Sequence, residues 1–392
     1  MKFFRTKLTV FFGLLLAVLY FTNDFALIDI EKTAIVVAIG IDRADDGGYE
    51  VTAQIAVPQA TDTASSNDDA IMTSKGKTVW EAIDNIGSDT GWHPKMSFCS
   101  MIFFGRDLAN DNIESVVDCF IRSDKIQNSA IVAMSDTKAA DLLFAKTPLD
   151  AISSFALQKI VLKNEWMVST VGVTNLKQFA ISNYSKSKSA YMPVISIIHG
   201  KTKGKDQSGG LAPASTGGEK TGGEDEQVIF DASEISLFSG GVCVGQLSKE
   251  QTLIYYLFQG PVYDSFISVD DEDGTRFLTV SGNRYSVTVD TKKPSIELKL
   301  ELTVESNDST SGTDLKNFTA NAVLNEKTLY ALKQKIYKTA YSLTEKLSAA
   351  DADIFSIKEY IYKYKNSDYE RLKNLPLSEF EVNVDVKVKS KD

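Results

Sequence analysis

The strongest constraint on what this chain can fold into is Met96–Phe104 (MSFCSMIFF), a nearly unbroken apolar run of strand length closed by Gly105. A strand with no wet face must be covered on both sides, so the run predicts a sheet with layers above and below it. It belongs to a longer unit, Lys75–Leu108, that reads helix, turn, strand, second helix start. Thr78 and Glu81 form a T-x-x-E capping box, in which the threonine takes a free N–H and the glutamate bonds back to the cap. Val79, Ala82, Ile83 and Ile86 then recur at helical spacing, and Gly87 and Ser88 are expected to stop the helix.

The chain has 392 residues, enough for two or three domains. A formal charge of −10 and the lack of a basic cluster with interleaved aromatics argue against a nucleic-acid-binding face. Cys99, Cys119 and Cys243 are odd in number and scattered, without the spacing of a zinc site or a disulfide framework. Burial preference makes them small core hydrophobes.

Residues 1–28 read as a signal or anchor segment. Lys2, Arg5 and Lys7 precede the uncharged run Leu8–Phe21, and Asp24 follows it, which orients the remainder outside the cytoplasm. At 1.5 Å per residue the run spans about 21 Å, short of the roughly 30 Å hydrocarbon layer, as a cleavable signal core would be. Asp24-Phe25-Ala26 nevertheless fails as a cleavage site, because aspartate occupies the first small position. No cysteine precedes Cys99, so there is no lipidation site. An uncleaved anchor is the favoured reading, ahead of a cleaved signal and of a cytoplasmic apolar tail.

Residues 29–199 read as an α/β region with a mixed sheet and several helices, and the sequence leaves open whether it is one unit or two subdomains. Thr33–Asp42 and Tyr49–Pro58 form a hairpin through Asp45-Asp46-Gly47-Gly48, and Ala60–Ala70 reads as a loop. Helices are expected at Ile113–Arg122, Lys138–Lys146, Leu149–Trp166 and Asn175–Tyr184, with a short strand at Ser129–Met134. Ala190–Ile198 reads as an edge strand, because Pro193 cannot donate to a ladder. Residues 200–227, rich in Gly, Ser, Thr, Lys and Glu, have almost nothing to bury and read as a flexible linker.

Residues 228–392 read as a second α+β domain. Strands are expected at Ser233–Phe238 and Val242–Val244, then a helix capped by Ser248. Arg276–Val280 and Arg284–Val289 read as strands joined at Ser281-Gly282-Asn283. Ile296, Leu298, Leu300, Leu302 and Val304 alternate with polar residues, as do Val382, Val384, Val386 and Val388. Such period-two patterns predict an antiparallel sheet with one wet face. Leu329, Leu332, Ile336, Ala340, Leu343 and Leu347 mark one side of a long helix that should cross the dry face. The fold class is α+β.

No chemistry stands out. His93 sits in a Gly-Trp-His-Pro turn and His199 borders the linker, neither with a partner in sequence. Gly76-Lys77-Thr78 imitates the tail of a phosphate loop, but Ile71 stands where the first glycine is needed. Asp270–Gly274 imitates a calcium loop, but Val269 and Val280 occupy its first and twelfth positions, so an acidic β-turn is expected. No G-x-S-x-G or S-x-x-K stands in supporting context. The sequence therefore offers no catalytic, cofactor-binding, metal or lipidation residue, no cofactor and no enzyme activity, and it leaves partner-binding residues unknown.

A resemblance adds what the residues do not. Asp29–Pro58, Ser74–Ile86, His93–Ala109, Val116–Gln127 and Ala140–Leu143, then Ile235–Thr252 and Lys346–Tyr364, occur in the order and spacing of the Ger(x)C family, the C subunits of spore germinant receptors. The family usually carries a lipidated cysteine before its first strand. Asn23–Asp29 has none, and a spanning Leu8–Phe21 would substitute for it. The resemblance implies a non-enzymatic, outward-facing subunit of a nutrient receptor that triggers germination. It would work with polytopic A and B subunits at the inner spore membrane, held there through Leu8–Phe21. The alternative, from another class, is a stand-alone extracytoplasmic solute-binding protein with a cleft between unlike domains. An envelope hydrolase comes third.

Overall fold

The structure, a computed structural model, describes residues 2–22, 33–56, 70–147, 150, 152–167, 173–201, 226–262, 264–271, 274–309 and 324–391. Pro58, most of the loop at 60–70 and most of the 200–227 stretch lie outside the described residues. Helix α1 (Lys2–Thr22) exposes Val10, Phe11, Phe12, Leu14, Leu15, Leu16 and Val18. Among the described residues, no helix is long and apolar enough to cross a membrane.

The first sheet opens with three antiparallel strands, β1 (Thr33–Arg43), β2 (Tyr49–Ala56) and β3 (Ala70–Gly76). The expected turn joins β1 to β2, with Arg43 opposite Tyr49. Strand β3 was not expected, because AIMTSKG is too polar to read as a core strand; it is the outermost one. Chain direction then changes. Strands β4 (His93–Lys95) and β5 (Met101–Phe104) run parallel to β1, and β6 (Ile131–Ser135) and β7 (Ser189–Lys201) extend the parallel series. Strands β8 (Glu226–Ser239) and β9 (Val242–Leu247) close the sheet antiparallel, in the order β3-β2-β1-β5-β6-β7-β8-β9.

Both faces of this sheet are covered, as the apolar run requires. Ile102 and Phe104 pack with α2 (Val79–Thr90), α4 (Glu114–Ile121) and α7 (Leu176–Asn183). Met101 and Phe103 point the other way, toward α5 (Ala139–Phe144) and α6 (Ser153–Met167). A short helix, α3 (Arg106–Asp111), follows β5.

Four local expectations are corrected. Met96–Phe98 is a 3-10 turn, so the strand is confined to Met101–Phe104; an apolar run does not reveal where backbone regularity begins. Helix α2 passes Gly87 and Ser88 and ends at Thr90, where Gly91 takes the left-handed conformation (φ 74°) and donates its N–H to Gly87 O at 2.8 Å. Strand β7 lies inside the sheet. Pro193 falls one residue before the short ladder to β6 (Met134↔Val194, Ser135↔Ile195), so its missing N–H is tolerated there. Strands β8 and β9, grouped by sequence with the second half, pair onto the first sheet, where Lys201 stands opposite Glu226.

The second sheet has the order β10-β11-β12-β13, from β10 (Ser265–Asp271), β11 (Gly274–Asp290), β12 (Ser295–Ser309) and β13 (Glu381–Ser390). Strand β11 is continuous through Ser281-Gly282-Asn283, with a bulge in place of the expected turn. Asn283 is turned inward, donating to Leu257 O (2.7 Å) and Gly260 O (3.0 Å) at the end of α8 (Lys249–Leu257). The pairs β10–β11 and β11–β12 are antiparallel, but β12–β13 is parallel. Period-two alternation fixes faces and not direction, and here α9 (Glu326–Ala349), α10 (Ile357–Tyr364) and α11 (Asn366–Leu372) carry the chain across.

Helix α9 buries Leu332, Ile336, Ala340, Leu343 and Leu347 against Leu298, Leu300 and Leu302 of the dry face. Each fully buried leucine contributes about 1.5–3 kcal/mol, so packing rather than intrinsic propensity holds α9. Ile235, Leu237 and Leu247, from β8 and β9, belong to this same core.

Candidate interaction surface

The buried ionisable groups hold the fold together. Asp42, at the end of β1, accepts from Ala139 N (2.8 Å) and Ala140 N (3.0 Å) and so caps α5. Burial pushes its carboxyl upward, opposed by those two N–H bonds. Gly105 is required beside it, since a Cβ there would collide with Asp42 Oδ1. Asp353, 1% exposed, accepts from Ile357 N and Lys358 N, both at 2.8 Å, at the start of α10. Its carboxyl is pushed up to about 6, chiefly by burial. Burial drives the Cys99 thiol up to about 12 and raises Cys119 and Cys243, so thiolate chemistry is suppressed at all three.

Asp353 also anchors the joint between the sheets. Its N–H donates to Ser189 Oγ (2.9 Å), Glu359 N donates to Ser187 Oγ (3.1 Å), and Lys186 N donates to Glu359 Oε2 (2.8 Å). Tyr255 fills the adjacent space, stacked edge-on to Tyr191 and Phe355, with its hydroxyl donating to Ile354 O at 3.2 Å. The two halves meet in packed side chains. Sequence reasoning missed Asp42 and Asp353, whose partners are about 97 and 164 residues distant or set by a later turn. The one available signal was Asp353 and Ser356 just ahead of the apolar period in α10.

Residues weighed for chemistry lie apart. His93 is exposed on β4, and the backbone of His199 pairs with Val228. Gly76-Lys77-Thr78 joins strand β3 directly to helix α2. Glu81 Oε2 takes Lys77 N–H at 2.8 Å, however, and Thr78 Oγ takes Glu81 N–H at 3.2 Å, so those amides are occupied. Within the β10–β11 hairpin Asp270 accepts from Thr275 Oγ (2.6 Å) and Asp271 accepts from Arg276 Nε (2.6 Å), and Asp271 also accepts from Thr328 Oγ of α9 (2.6 Å). Among the described residues, no group of three His, Cys, Asp or Glu is placed to hold a metal ion.

The outward surface is richer. Tyr330, Tyr337 and Tyr341 are exposed along one side of α9, with Lys333 and Lys338 between them. Tyr360 and Tyr364 of α10 are also exposed, with ring centroids 5.0 Å apart. Tyrosines with a wet hydroxyl and an apolar ring are the side chains that interfaces favour.

Comparison with known proteins also divides the chain in two, but assigns β9 and the latter half of β8 to the second part. Residues 27–197 match the family described as spore germination protein N-terminal domain, and residues 233–391 match spore germination B3/GerAC-like, C-terminal. The chain belongs to the Ger(x)C family. It is 29% identical to spore germination protein B3 of Bacillus subtilis (strain 168) over 147 residues, 36% of this chain and 38% of that protein. The match thus spans little more than a third of that relative. It is 27% identical to spore germination protein A3 of the same organism over 264 residues, 65% of this chain and 67% of that protein. A crystal structure of the GerBC protein superposes with a TM-score of 0.51 at 14% identity, covering 93% of this chain and 100% of that one, which establishes a shared fold.

Proposed function

We propose that this chain is a non-enzymatic, outward-facing subunit of a nutrient receptor that triggers spore germination, acting with polytopic A and B subunits at the inner spore membrane. The observation that carries this reading is the match of both halves, in order, to the two germination families. Attachment is assigned to α1, whose run Leu8–Phe21 follows Lys2, Arg5 and Lys7. The run covers about 21 Å of helix, and its exposed apolar side chains suit a hydrocarbon environment. The packed joint supports a subunit over a solute-binding protein, which needs a cleft there.

Deleting the gene tests the proposal. Germination by nutrients should fail, while germination by agents that bypass receptors should persist. Normal nutrient response in the deletion strain would overturn it. The purified fragment Ile30–Asp392 should give no calorimetric signal with amino acids or sugars at millimolar concentration, where even weak binding would register. A saturable signal would favour the solute-binding reading.

A further inference from the structure

Strand β10 ends the second sheet, and among the described residues no strand pairs with its outer side. That side forms one wall of a cleft of about 380 Å³, and α8 and α9 form the other. Leu253, Ile254 and Ile336 make an apolar floor. At the rim Phe266 and Phe277, 41% and 44% exposed, stack with centroids 5.0 Å apart and planes 16° apart. The carbonyl of Ser268 turns away from β11, where Lys335 Nζ donates to it at 3.0 Å while also pairing with Glu250 at 2.8 Å. A lysine side chain thus occupies a backbone acceptor that a neighbouring strand would normally satisfy.

We propose that this groove takes an extended strand from a partner polypeptide, adding it to the edge of β10. The backbone of β10 offers about 23 Å of edge at 3.3 Å per residue, and the floor accepts an apolar side chain at every second position. Lys249 and Lys335 face one Glu250 along the cleft, so the lining is net positive and suits a carboxylate, with Lys335 giving up Ser268 O to the incoming strand. The partner segment is therefore apolar in alternation and acidic. A second copy of β10 does not fit, because its own α8 and α9 wall off the same edge. The proposal stands on the groove alone and survives failure of the germination reading.

The test uses the full chain in detergent and a fluorescein-labelled peptide copying Glu381–Val388 (EVNVDVKV), which alternates valine with polar and acidic residues. Binding should be saturable and should slow amide exchange at Phe266 and Ser268. An N–H shares its residue's carbonyl direction in an antiparallel strand, so Ser268→Pro removes an outward donor without breaking the ladder to β11. It should weaken binding about fivefold, the loss of one net hydrogen bond, while Ser268→Ala binds as the parent does. If Ser268→Pro melts early, Phe266→Asp decides, since it removes the apolar rim at an exposed site and should also weaken binding. Absence of saturation, equal binding by Ser268→Pro and Phe266→Asp, or a β10-dependent dimer in sedimentation would each overturn the proposal.

Discussion

In the first sheet, successive residues of β5 enter different cores, and none of Met101, Ile102, Phe103 and Phe104 reaches water. In β12 every second residue stays at the surface, with Lys299 paired to Glu297 at 2.8 Å and Glu301 paired to Lys389 across the strands. One sheet is enclosed by its helices, while the other keeps a polar face, an open edge and the exposed tyrosines of α9. Enclosure fits a scaffold, and exposure fits contact with other molecules. The joint at Asp353 holds the two in one arrangement.

The largest test of this contrast is Phe103→Ala. Removing a fully buried ring from a two-faced sheet should cost about 3–5 kcal/mol in urea unfolding of the full chain. A loss below about 1 kcal/mol would mean that the sheet is not enclosed as described.

Next comes pH dependence at the joint. Folded Asp353 keeps its proton until about pH 6, whereas an unfolded aspartate releases it near 3.9. The folded state therefore binds more protons across that window, and stability from this group is greatest below about pH 4 and falls as pH rises to 6. The size is about 3 kcal/mol. Asp353→Asn should flatten that part of the curve; an unchanged slope would show that the carboxyl titrates normally.

How much of this was legible follows from which interactions are local. The cap at Thr78, the two-faced burial of β5 and the stripe on α9 are set by neighbours within a few residues, and each was readable. Strand direction, by contrast, depends on connections, so β13 read as antiparallel although α9–α11 force it parallel. Strand β3 was missed because an edge strand needs few apolar residues. Asp42 was invisible because its partners come together only in the folded chain, and Asp353 left only the faint signal of a carboxylate ahead of α10. The site reading suffered most, since an interaction surface has no fixed motif.

A smaller effect is expected at residues 202–225. The strands on either side pair directly at Lys201↔Glu226, so a Gly/Ser turn of about four residues should close the hairpin. Shortening the loop about sixfold should stabilise by no more than about 1.6 kcal/mol. A fall in melting temperature of more than about 5 °C would imply that the segment packs somewhere. Smallest of all is Glu301→Ala on the polar face, which should leave the urea midpoint nearly unchanged; a cost comparable to Phe103→Ala would erase the contrast between the sheets.

The central claim is that this chain works at a membrane with other subunits, and purification of tagged full-length protein from spore membranes tests it most directly. After a high-pH wash, the full chain should remain in the membrane fraction and, once solubilised, should elute with proteins of several membrane spans. Recovery of the chain alone, in the soluble fraction and starting near residue 27, would contradict both the proposed anchoring by α1 and the proposed place in a receptor.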